Sequence, residues 1–191
     1  ISGNVLSIFK PLMSKDGNGS GMIWNTPYSQ YVRAELTLGK TWRFGKDDRH
    51  GFATRVQAGA GYAYGNSSAL PFEKHFYSGG ANSMRGWQAR SLGPGLAAKD
   101  TTFVIPNQTG DMKLEANVEY RFPMFWMFSG AVFVDAGNVW NLKAAASDSS
   151  DDDSCPSHID GTTLWTGMAM NWGLGLRLDL DFLILRIDWG M

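Results

Sequence analysis

Three histidines, one cysteine and a short run of aspartates carry the most versatile side chains in this chain, and their placement argues against catalysis or metal binding. His50 falls in a polar turn, His75 just ahead of a glycine-rich stretch and His158 in an acidic loop. None stands on a strand face beside a serine, so the base and nucleophile of an acyl hydrolase or acyltransferase are not laid out. Cys155 lacks the basic neighbours that activate a thiolate, and a single cysteine forms no intrachain disulfide. Asp148 and Asp151 to Asp153 lack the ligand spacing of a calcium loop. Asp16-Gly-Asn-Gly-Ser-Gly21 lacks the Lys-Ser/Thr of a phosphate loop, and Gly173-x-Gly175 has no helix after it. No enzyme activity, metal or cofactor is expected.

One cation is placed differently. Arg85 lies in Phe76-Tyr-Ser-Gly-Gly-Ala-Asn-Ser-Met-Arg-Gly-Trp87, inside a turn-rich interval of about 66–110. Connections this long are usually functional or disordered. This one carries Phe72, Phe76, Tyr77, Met84 and Trp87, which seek a surface to bury against. The small residues around Arg85 let backbone approach backbone. Such a loop is expected to dock, with Arg85 aimed at buried carboxylates.

The elements that could receive it are strands. Tyr31 to Phe44 puts Val32, Ala34, Leu36, Leu38, Trp42 and Phe44 on one parity and Arg33, Glu35, Thr37, Thr41 and Arg43 on the other. Alternation with period two means one apolar and one polar face. Phe52 to Tyr64, Met112 to Phe122, Gly130 to Trp140, Met168 to Leu180 and Leu183 to Trp189 repeat it. Val5 to Leu12 is a poorer candidate, and Ser14 to Thr26 reads as a turn. No stretch has a helical period.

Connections alternate too: short at 45–50, 124–127 and near 181, long at 66–110 and 141–162. Short turns on one side and long loops on the other are the asymmetry of an outer-membrane barrel. Eight Trp, eleven Phe and 23 Gly fit its aromatic girdles and crowded walls. A soluble sandwich also alternates, but this polar parity, rich in Gly, Asn and opposed charges, suits a hydrated lumen. A formal net charge of −1 argues against nucleic-acid binding. No apolar run reaches the 18 residues of a membrane helix. The expected fold is therefore an all-β antiparallel transmembrane barrel. About six to seven strands do not close one, since an open edge in lipid strands backbone groups. Residues 1–191 are therefore expected to be a C-terminal portion of a barrel, lacking its earlier strands and its last.

Gly80-Ala-Asn-Ser-Met-Arg-Gly-Trp87 resembles the Val-Arg-Gly-aromatic motif of the BamA/TamA superfamily of outer-membrane assembly and translocation proteins. Val118-Glu-Tyr-Arg-Phe-Pro123, Ala131-Val-Phe-Val-Asp-Ala-Gly-Asn-Val-Trp140 and Gly173-Leu-Gly-Leu-Arg-Leu-Asp179 are similar to that family's following strands, in order. Arg90-Ser-Leu-Gly-Pro-Gly95 resembles the TamA-like proteins of the Bacteroidota. The match runs from about residue 28 to the end.

The resemblance implies a loop motif of Gly80, Ser83, Met84, Arg85, Gly86 and Trp87 folded into the lumen, with Arg85 on Glu119 and Asp135. Strand parity supports Glu119 independently. Asp135 shares a face with Ala131, Phe133 and Gly137, which is lumenal only if the turn at 123–127 makes it so. The resemblance also implies an outer-membrane location in a Gram-negative bacterium and N-terminal POTRA domains. Its implied partners are outer-membrane lipids, folding client proteins, the rest of the barrel, and accessory lipoproteins or periplasmic proteins. The alternatives are a passive, porin-like channel and, further off, an acyl hydrolase or transferase.

Overall fold

The computed structural model describes residues 13–15, 21–23, 26–45, 48–97, 107–142, 157–180 and 182–191. Three short strands, β1 (Met13–Lys15), β2 (Gly21–Ile23) and β3 (Thr26–Pro27), make a small antiparallel meander. Six more form a second sheet: β4 (Tyr31–Phe44), β5 (His50–Ala63), β6 (Met112–Pro123), β7 (Phe128–Trp140), β8 (Ala169–Asp179) and β9 (Ile184–Gly190). They neighbour one another in chain order, and every pairing is antiparallel. A tilted strand needs about 9–11 residues to cross a bilayer, and β4 to β8 have 11 to 14.

Burial in this sheet is inverted relative to a water-soluble one. On β6, Lys113, Glu115, Asn117 and Glu119 are buried while Val118 is exposed. On β8, Asn171 and Gly173 are buried while Met170, Trp172 and Leu174 point outward. An apolar outer face and a buried polar face are what lipid outside and protein or water inside require. At the short-turn end the outer rings gather. Phe44, His50, Tyr120 and Phe122 stack in series, with centroids 5.8 to 6.2 Å apart. Amphipathic rings of this kind favour the membrane–water boundary. The all-β, partial-barrel architecture read from the alternation is the one observed.

Two elements depart from the sequence reading. The first is the meander where residues 14–26 read as a turn. Its pairing is held from a distance: the Asn66 side chain bonds Gly21 N–H (2.6 Å), Gly21 O (2.9 Å) and Tyr28 O (2.7 Å). The second is a helix, α1 (Gly161–Thr166). A reciprocal cap starts it: the Asp160 carboxylate accepts from Gly161 N–H (2.7 Å), and Thr163 Oγ1 accepts from Asp160 N–H (2.6 Å). Six residues are too few to show a 3.6-residue period. Val5 to Leu12, residues 98–106, the aspartates at 148 and 151–153, and Cys155 lie outside the described residues.

Candidate functional site

The long loop between β5 and β6 lies against the polar face of the sheet, and the wall is shaped to take it. A Cβ at Gly59 would come within 2.5 Å of the Phe76 ring, and one at Gly61 within 2.7 Å of Leu70. Both loop residues are buried. The Arg33 guanidinium covers the other side of Phe76, 4.1 Å from the ring centre. Paired backbone bonds between Phe76 and Gly110 (2.8 and 2.9 Å) close the stem. Further along, Gly95 N–H donates to Val139 O (2.7 Å), and Asn138 Nδ2 donates to Gly95 O (2.9 Å).

The tip is a nested pair of turns. Trp87 N–H reaches Met84 O (3.0 Å) and Gly80 N–H reaches Trp87 O (2.8 Å), so Arg85 and Gly86 occupy the apex. Gly79 and Gly80 both have φ of +98°, which a side chain would resist. Met84 is fully buried beneath the apex. Ser83 Oγ donates to the buried Glu115, as does Ser78 Oγ at 2.6 Å, while Lys113 Nζ stands 3.1 Å from the same oxygen.

Every nitrogen of Arg85 donates to this wall. Its backbone N–H donates to Asp135 Oδ2 (3.1 Å), Nε to the same oxygen (3.0 Å) and Nη2 to Oδ1 (2.8 Å). Nη1 donates to Glu119 Oε2 at 2.6 Å. The Phe133 ring lies 3.5 Å from its central carbon, a cation–π contact with a fully buried ring. The Arg85 side chain is only 7% exposed, and those of Glu119 and Asp135 are 9% and 0%. Burial alone would lower the Arg85 pKa. Hydrogen bonds and charge from Asp135 and Glu119 outweigh that and hold it above the ordinary arginine value. Bidentate pairing of this kind fixes orientation as well as distance.

Further residues complete the site. Asn117 Nδ2 bridges Asp135 Oδ1 (2.9 Å) and Ser83 O (2.8 Å), and Asn171 Nδ2 lies 3.3 Å from Asp135 Oδ2. Arg55 holds the Asn117 side-chain oxygen (3.0 and 2.8 Å) and reaches Asn82 O. Glu119 also accepts from Arg121 (2.6 Å) and Arg177. Asn117, Asn171 and Arg177 share polar strand faces with residues named from the sequence and were within reach of a parity argument. Phe133 was not, because it looks like a lipid-facing residue. Gly80, Ser83, Met84, Arg85, Gly86, Glu119 and Asp135 all meet in one cluster, while Trp87 closes the turn by its backbone.

This arrangement fastens a loop to a wall. The Omp85 superfamily domain model matches residues 21–191. The chain belongs to the Omp85 superfamily. A relative, the outer membrane protein assembly factor BamA of Neisseria meningitidis serogroup B, is 29% identical over 129 residues. The match covers 65% of this chain and 16% of the relative's length. Omp85 membership places the protein in the outer membrane of a Gram-negative bacterium. It also accounts for apolar strands facing outward in the absence, among the described residues, of any helix long and apolar enough to cross a membrane.

Proposed function

We propose that residues 1–191 are a C-terminal portion of an Omp85 barrel that assembles or translocates outer-membrane or surface proteins, with the loop at about 66–110 latched inside the lumen by Arg85. The observation that carries this reading is the nearly buried Arg85 guanidinium held by Asp135 and Glu119 on the face opposite the lipid side. A loop fastened there occupies space that a diffusion pore leaves open. It also gives the barrel a two-state element, latched or released, that a folding client could bias. In the whole protein, POTRA domains precede the barrel, unfolded outer-membrane proteins are the clients, and lipoproteins are accessory partners. The Arg90 to Gly95 segment favours the TamA-like branch. The role is mechanical rather than catalytic.

Charge exchange tests the latch. In cells relying on the variant as their sole copy, Arg85→Glu is expected to abolish accumulation of folded client barrels. Asp135→Lys or Glu119→Lys in the same molecule should restore part of it. Independent, additive defects in the double variants would count against the pairing.

A further inference from the structure

The loop tip does not rest on β6 and β7 alone. It crosses β8 and reaches β9. A Cβ placed at Gly190 would stand 2.8 Å from both the Cα and the N of Gly86, so the two glycine backbones are in direct apposition. Arg186 Nη2 donates to Ala81 O at 2.7 Å. Asp188 Oδ2 lies 3.0 Å from Arg186 Nε and 3.9 Å from Arg85 Nη1, making Asp188 a third carboxylate beside the same guanidinium. Its side chain is 10% exposed and, among the described residues, neither oxygen accepts a hydrogen bond, so its charge faces those two cations.

The crossing is possible because β8, beyond the Asn171 side chain that Gly86 rests on, offers glycines beneath the tip. Gly173 makes room for the Phe133 ring from β7, and a Cβ at Gly175 would come within 2.7 Å of Asp188 Oδ1 from β9. The Gly173-x-Gly175 pair is thus a low saddle across which β7 and β9 share one guanidinium. β9 is the shortest strand of this sheet. It has seven residues and, among the described residues, pairs only with β8.

We infer that Arg186, Asp188 and Gly190 form a second seat for the loop tip, so that seating of the loop and ordering of β9 are one coupled equilibrium. The inference deepens the Arg85 latch and rests on it. Coupling of this kind is reciprocal: whatever frees the tip loosens β9, and whatever loosens β9 frees the tip. A loop movement on the polar face would then reach β9, two strands beyond the Asp135 strand β7.

Hydrogen exchange on the full-length protein in lipid nanodiscs tests this. Gly190→Ala leaves Arg85, Glu119 and Asp135 unchanged, yet should speed exchange at the tip, residues 79–88, by about tenfold. Arg85→Ala should speed exchange in β9 by a similar factor while β5 and β6 stay protected. Asp188→Asn adds no bulk and should show the same coupling, weaker, where Gly190→Ala disturbs strand pairing itself. If Arg85→Ala frees the tip and leaves β9 unchanged, the latch stands and the second seat falls. If Arg85→Ala leaves the tip protected, the latch falls and the second seat with it.

Discussion

When Arg85 leaves, its two carboxylates are left in different company. Glu119 keeps Arg121 and Arg177, whereas Asp135 keeps, among the described residues, only the amides of Asn117 and Asn171. A buried carboxylate without a cation costs about 3–5 kcal/mol, while one that retains a counter-ion loses far less. In double-mutant cycles, Arg85→Ala with Asp135→Asn should therefore show a coupling near the top of the usual range of about 0.5–3 kcal/mol. Arg85→Ala with Glu119→Gln should fall near the bottom of it. Native-state proteolysis of the loop reads both values, and equal couplings would mean that Arg121 and Arg177 do not shelter Glu119. The cation itself is indifferent to ordinary pH. Its folded pKa is raised, so its contribution is complete below the ordinary arginine value and lost only as pH climbs through the higher folded one.

Among the elements, the wall strand β5 shows how a strand and a loop specify one another. Alanine normally outperforms glycine in a strand by roughly 0.5–1 kcal/mol, so Gly59→Ala on an empty wall would stabilise. Beneath Phe76 the sign reverses, because the new Cβ would meet the ring at 2.5 Å. Overpacking of that kind costs about 1–3 kcal/mol. Gly59→Ala should lower the denaturant concentration at which protease cuts the loop, and Phe76→Leu in the same molecule should recover part of the loss. An unchanged or raised midpoint for Gly59→Ala would mean the loop stem is not seated there. The same relation explains what could be read from the sequence. Period-two alternation made β4 to β9 legible, since lipid and lumen sort side chains strand by strand. The polar parity of β6 made Glu119 legible as well. Asp135 was ambiguous from residues alone, because Ala131, Phe133 and Gly137 look lipid-facing when they are in fact buried. Asp135 and Phe133 meet Arg85 from a segment some 50 residues away, which no local period records. The meander β1 to β3 was hidden for a like reason, since Asn66 ties it together from the long loop.

For the molecule as a whole, the proposed latch would govern what crosses the barrel. Its stem covers β5, its tip covers β6 and β7, and its far limb is tied to β7 through Gly95. With the loop seated, the polar face of β6 and β7 is lined by loop backbone and paired charges. The full-length protein in a planar bilayer should accordingly show small, erratic conductance. If the latch contributes about 3 kcal/mol, its removal multiplies the released population about a hundredfold. Arg85→Ala should then convert rare openings into frequent and longer ones, with little change in the largest conductance level, because the wall itself is unaltered. A large, steady and ion-selective conductance in the unmodified protein would instead describe a diffusion channel. In that case the buried guanidinium would be a structural staple of a pore rather than the fastening of a movable loop.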